Sequence, residues 1–375
     1  MAFEDKNKTI KYPEGSYGGE ALDYILQYTY QENEMYQHGL VHVQTGVTYQ
    51  LKLPRSRSGR VIQDAQSTPT VESGRANTNG FNSYEITERV LKPEHFGIFK
   101  LWDPEVMAQY WKQFAPLGTQ VFRELSPKIQ ADFINQLIIE KNAEIGEALW
   151  LGVRGGVSTL TGFTQPTGMA KIGVTPDNMP QATLNTKFDG LIGCAVRSLK
   201  DTNPLDRVNV TGTAKLDTGE AVEKALDTMY MSIPSAMRTK TGKLSFLMHF
   251  DQWIMYDRYL SNKTYKNTDN SVENVRKYKG IRIIPIGACP QHTIVLGEFA
   301  SDITSNFWVA IDWANPKDED MVVINRYMNS SSEWFVKMTM KMDSNIVKPN
   351  EMWFHSPYFE GLVTLPSTGD EGGGE

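Results

Sequence analysis

The sequence predicts an α+β protein, and three observations predict it. One helical pattern is far longer than its neighbours, strand-like runs lie on both sides of it, and a compact strand–helix–strand–strand unit follows late in the chain. That late unit occupies residues 243–299. The apolar run LSFLMHF leads into FDQWIMYDRYL, and after a polar gap come KGIRIIPIG, a short turn and HTIVLGEF. These read as a buried strand, a short aromatic helix, a loop and two further strands.

Composition bounds what such a chain can do. With 375 residues, 40% of them hydrophobic, it can bury a large core and exceeds the usual size of one compact domain. Its net charge of −6 argues against wrapping nucleic acid on a strongly basic face, so any contact with DNA is expected to be weak and nonspecific. Cys194 and Cys289 are the only cysteines and form no C-x-x-C pair, which makes a reducing compartment the default. The start MAFEDKNKTIKYPEG has no apolar core and no window approaches eighteen apolar residues, so neither a signal peptide nor a membrane span is expected.

In chain order, residues 1–19 are polar and Gly-rich and read as an extended arm. Residues 20–36 carry Leu22, Ile25, Leu26 and Thr29 at helical spacing. The runs VHVQTGVTYQLKL and FNSYEITERVLK alternate like strands, and no aromatic residue occurs between Gln50 and Phe81. Two strands joined by so polar an excursion form an extended hairpin with too little apolar surface to offset the entropy of ordering it alone. Either a neighbour orders it or it is a disordered surface loop. Its arginines, Arg55, Arg57, Arg60 and Arg75, are the candidates for contact with that neighbour, because guanidinium groups make bidentate contacts to carboxylates.

The long helix follows. Ser126 suits the N-cap, Pro127 the first helical position, and Ile129, Phe133, Leu137, Ile138, Ile145 and Leu149 share one broad face until Gly152 ends the pattern. At about 24 residues it is a strut of roughly 36 Å, with Phe133, Leu137 and Ile145 as its packing residues. Residues 188–199 and 219–231 also read as helices, and both are expected to pack on the sheet that residues 244–250 begin. Beyond Phe299, the runs NFWVAIDW, MVVINRY and EWFVKMTMKM read as strands. In the last of them, Trp334, Val336, Met338, Met340 and Met342 alternate with Phe335, Lys337, Thr339 and Lys341, which gives one buried face and one partly solvated face. STGDEGGGE is expected to be a flexible tail.

Catalytic motifs are hard to find. RTKTGKLS contains Gly-Lys, but a phosphate loop needs glycine where Met237 stands and Ser or Thr where Leu244 stands. No G-x-S-x-G, H-E-x-x-H or G-x-G-x-x-G pattern occurs. His38 and His42 have helical spacing but fall on a strand pattern, and Asp318, Glu319 and Asp320 read as a solvated turn. No catalytic residue, cofactor or metal is expected.

The order of these elements resembles the HK97-type major capsid proteins of tailed bacteriophages. In the late unit the resemblance rests on Asp251 and Trp253 at the helix start, the strand from Gly280 to Pro285, and the turn Gly297, Glu298 and Phe299, which together match that family's A-domain. Upstream, the extended hairpin matches its E-loop, the long helix its spine helix, and Gly162, Pro166 and Gly168 the segment that follows the spine. The resemblance implies an N-terminal arm at 1–40 and the E-loop with flanking strands at 41–100. The P-domain follows at 101–186, with its spine helix at 127–151, then the A-domain at 187–315. Residues 316–366 return to P-domain strands, and the tail is 367–375.

It further implies a structural, non-enzymatic subunit that self-assembles as hexamers and pentamers into an icosahedral shell around double-stranded DNA. That shell would be assembled in the host cytoplasm and kept in the virion. A portal protein and a scaffold, with protease and decoration proteins as possible companions, come with that reading. The arm here is short and has no long charged helical leader, which points to a mature chain or a separate scaffold. Some members cross-link an E-loop lysine, but the tip here has none, the nearest being Lys52, so that chemistry is not carried over. Two alternatives stay open: an encapsulin-like nanocompartment shell, which shares the fold without a genome, and an unrelated cytoplasmic α/β enzyme.

Overall fold

The computed structural model describes residues 16–17, 34–58, 84–102, 127–175, 184–203, 206–239, 241–262, 276–312, 322–326 and 333–363. The first part of the chain supplies β1 (Ser16–Tyr17), α1 (Glu34–Gln37), β2 (His42–Thr45), β3 (Leu51–Ser58), β4 (Tyr84–Leu91), β5 (Glu94–Trp102) and α2 (Pro127–Leu151). The middle supplies α3 (Leu191–Ser198), β6 (Asn209–Gly212), α4 (Gly219–Ser232), α5 (Ser235–Arg238), β7 (Leu244–His249) and α6 (Phe250–Asn262). The remainder is strand: β8 (Lys277–Tyr278), β9 (Ile281–Ile286), β10 (Ile294–Glu298), β11 (Phe307–Asp312), β12 (Val322–Arg326), β13 (Trp334–Ile346) and β14 (Trp353–His355). All of the arm except Ser16 and Tyr17, most of the 20–36 helical pattern, the hairpin tip and the tail lie outside the described residues.

The first sheet is organised around β13. β5 pairs antiparallel with residues 334–342, while β12 takes 334–338 and β11 takes 341–346. A strand has two edges, so β5 occupies one and β12 and β11 share the other end to end. β1 extends the sheet from β12, and β2 joins β11 in parallel. The alternation read from the sequence is realised here: Val336, Met338, Met340 and Met342 are buried and Lys337 is exposed. The run 41–53, which reads as one strand, is instead divided between two sheets, because Gly46 at φ 77° turns the chain after β2. β3 then pairs with β4 as a separate two-stranded hairpin, in register from Leu51 opposite Leu91 to Ser58 opposite Tyr84.

The second sheet runs β6-β14-β10-β7-β9-β8 and mixes parallel and antiparallel pairs. Both of its faces are covered, as a continuously apolar strand such as β7 requires. Phe246, Met248, Ile281, Ile283, Ile294, Leu296 and Trp353 join Val222, Leu226 and Met229 of α4 and Tyr256 of α6 in one core. Leu247, Ile284, Ile286, Val295 and Phe354 face the other way, into the central core with α2, α3 and the inner face of the first sheet. α4 is capped by Thr218, whose hydroxyl accepts from the Ala221 N–H at 3.2 Å.

α3 departs from expectation. It packs against the end of α2 and against β13, and meets the second sheet only through the central core, on the face opposite α4. Glycines allow this close approach: a Cβ on Gly193 would stand 2.4 Å from the Gly152 carbonyl oxygen, and the Gly190 N–H donates to that same carbonyl at 2.8 Å. The C-terminal end of α2 is accordingly buried all round, with Ala148, Leu149, Trp150 and Leu151 each at most 5% exposed. The single apolar face read from the sequence understates this end of the helix.

Candidate assembly surface

The hairpin of β3 and β4 is held at its root by its own chain. Leu53 and Leu91 are buried with Val47 and Ala310, and Leu51, Trp308 and Val347 close around them. Two arginines then fasten the strands to the segments beside them. Arg89 on β4 donates to Asp201 Oδ2 at 2.8 Å and to the Asp206 carbonyl at 2.9 Å. Arg55 on β3 donates to Asn350 Oδ1 at 2.6 Å and lies 3.5 Å from Asp206 Oδ1. Arg55, a candidate from the sequence for contact with a neighbour, is engaged here within its own chain. At the same root, Lys52 pairs with Glu88 at 2.7 Å with both side chains about half exposed, a contact worth about 0.2–1 kcal/mol.

Behind the root lies a partly buried ionic junction, with Asp343 as its buried member, that joins β5, β13, α2 and α3. Arg154, three residues past the end of α2, reaches Asp343 Oδ1 of β13 at 2.8 Å and Glu94 Oε1 of β5 at 3.3 Å. Its backbone N–H donates to Asp189 Oδ1 at 3.0 Å, and that same oxygen accepts from Arg197 Nε of α3 at 2.9 Å. The Lys92 N–H donates to Asp343 Oδ2 at 2.5 Å. Burial pushes the Asp343 carboxyl up to about 6, and the Arg154 guanidinium opposes that shift without cancelling it. Burial likewise raises the Cys194 thiol, whose Sγ faces the carbonyls of Asp189 and Ser344, so it sits as a small inert residue.

Among the described residues, the outer face of the first sheet groups apolar side chains that are open to a partner. Phe99 and Leu101 of β5 are 53% and 47% exposed, and Phe99 stacks on Phe335 of β13 with ring centroids 5.6 Å apart. Exposed large apolar groups grouped on one sheet face mark a place where something docks.

The residues singled out from the sequence are distributed as follows. Leu137 and Ile145 are buried in the central core, and Phe133 lies in the first half of α2. Arg57 lies on β3 opposite Glu85, whereas Arg60 and Arg75 fall outside the described residues. Arg89, Arg154, Arg197, Asp189 and Asp343 were missed. No periodicity marks them, because each is a single polar residue whose partner is distant in sequence. Only their neighbourhood gave a hint, Arg154 following Gly152 directly after a helix stop.

No protein-family profile and no curated protein matches the chain. Solved structures do. A chain of the satellite phage P4 procapsid, in a structure that includes the size determination (Sid) protein, aligns over 92% of this chain and 93% of its own with a TM-score of 0.52 at 9% identity. A chain of the cyanophage A-1(L) capsid aligns over 94% of this chain and 96% of its own, also with a TM-score of 0.52, at 10% identity. At such identity the likeness speaks to backbone architecture, and it extends over nearly the whole of each chain. The protein has the α+β fold of phage capsid chains, the HK97-like fold that its sequence resembles.

Proposed function

We propose that the protein is the major capsid protein of a tailed bacteriophage, a non-enzymatic subunit whose work is self-association into a closed icosahedral shell. The observation that carries the reading is the match of fold over more than nine-tenths of this chain to chains of two phage capsids. The exposed Phe99, Leu101 and Phe335 face and the rooted hairpin give that reading surfaces with which to associate. In its terms, β3 and β4 form the base of the E-loop, the first sheet with α2 forms the P-domain, and the second sheet with α4 and α6 forms the A-domain.

Arg57, Arg60 and Arg75 are then the arginines proposed to meet carboxylates of a neighbouring subunit, while Arg55 and Arg89 hold the loop's base. Hexamers and pentamers, a portal, a separate scaffold, weak nonspecific contact with packaged double-stranded DNA, and a place in the virion belong to the same reading. Light scattering on the purified chain is expected to show particles on the order of tens of nanometres, as closed assemblies of many copies require. Monomers at every concentration would refute it. Shells that never contain nuclease-protected DNA, in cells producing the complete phage gene set, would favour the nanocompartment reading instead.

A further inference from the structure

Lys141 lies in the middle of α2 and is 3% exposed. Its Nζ donates to the thioether sulfur of Met338 on β13 at 3.5 Å, and no carboxylate pairs with it among the described residues. A buried ammonium without a counter-charge is among the costliest groups a core can hold. The surroundings explain why none arrives. On α2, Glu140 is taken by Lys100 of β5, and Glu144 is solvent-exposed. On the inner face of the first sheet, β13 presents Val336, Met338, Met340 and Met342. Across from them, β5 places Phe96, Ile98 and the paired Lys100 in register, and Glu94, opposite Met342, is held by Arg154. β11 places Val309 and Ile311 in the same core, and β12 sets Val322 and Ile324 opposite Met338 and Val336, with Arg326 opposite Trp334. From α3, Arg197 turns to Asp189.

We infer that Lys141 makes the seating of α2 on the first sheet proton-sensitive: as a neutral amine it stays against Met338, and on taking up a proton it loosens the hold of this stretch of helix on the sheet. Burial alone lowers the amine from its usual 10.5 to about 7. The opened helix, with the lysine in water, therefore binds more protons than the closed one between about pH 7 and 10.5, so the contact tightens as pH rises through that window and loosens as pH falls. Below about pH 7 both forms carry the proton and the penalty stays constant.

The test is hydrogen exchange on the full chain at about pH 7 and pH 9, corrected for intrinsic exchange chemistry. Peptides covering 137–145 and 334–342 are compared with peptides from β7 and β10. In the wild type, the opening equilibrium of the α2 and β13 peptides is expected to rise by tens-fold at the lower pH, while the second sheet changes little. In Lys141→Met, which keeps the length and removes the amine, that rise should vanish. A wild type without the rise, a rise of equal size in the second sheet, or a rise retained in Lys141→Met would overturn the inference. The wild-type measurement decides by itself if the variant does not fold.

Discussion

In the second sheet, Phe246 and Met248 enter one core while Leu247 between them enters another, so the strand is covered on both sides by its own subunit. In the first sheet, Met338 and Met340 are buried under α2, yet across the sheet Phe335 stacks on a half-exposed Phe99. The two sheets have the same number of strands, and the difference is how much covering each receives from its own chain. A sheet buried on both faces is finished when the subunit folds. A sheet with aromatic rings on its open face, and a two-stranded hairpin beside it, leaves apolar surface that the proposed assembly would cover.

This contrast can be broken in three places. The largest effect is expected in the second sheet, where Phe246 is fully buried: Phe246→Ala should cost about 3–5 kcal/mol and abolish soluble protein, read by chemical denaturation or yield. Next comes the junction between the two regions. Asp343→Ala removes the closest carboxylate of Arg154, a side chain still partly in water and still held by Glu94, and a loss of about 1–3 kcal/mol is expected. The smallest effect on the isolated subunit is expected at Phe99→Ser, within about 0.5 kcal/mol, because the ring is half in water. The same substitution should visibly weaken assembly. If Phe99→Ser destabilised the subunit as much as Phe246→Ala, the open face would be part of a core after all and the contrast would fail.

Much of the fold could be read because its signals are local. The 25-residue α2 announces itself through Pro127 and the apolar spacing that ends at Gly152, and β13 through its alternation of methionines with polar residues. The resemblance assembled these pieces into an architecture before any strand order was known. What could not be read was set by distant contacts. β6 and β14 are short, and they are strands only because β14 finds β10 and β6 finds β14. α3 lies on the face of the second sheet opposite α4 and close against the end of α2, where Gly152, Gly190 and Gly193 admit it, a packing fact with no periodicity behind it. The hairpin root was legible as strands, but the contacts of Arg55 to Asp206 and Asn350 carry no local signal, because these partners stand 151 and 295 residues away.

The central claim is that this subunit folds on its own cores and is completed by copies of itself through the hairpin and the open sheet face. Electron microscopy of the purified chain beside a variant in which residues 59–83 are replaced by a short Gly/Ser turn tests it most directly. The account predicts closed shells from the intact chain, and from the variant a soluble protein with an unchanged circular-dichroism spectrum that forms no stable shells. Shells of normal yield and stability from the variant, or dispersed monomers from the intact chain, would contradict it.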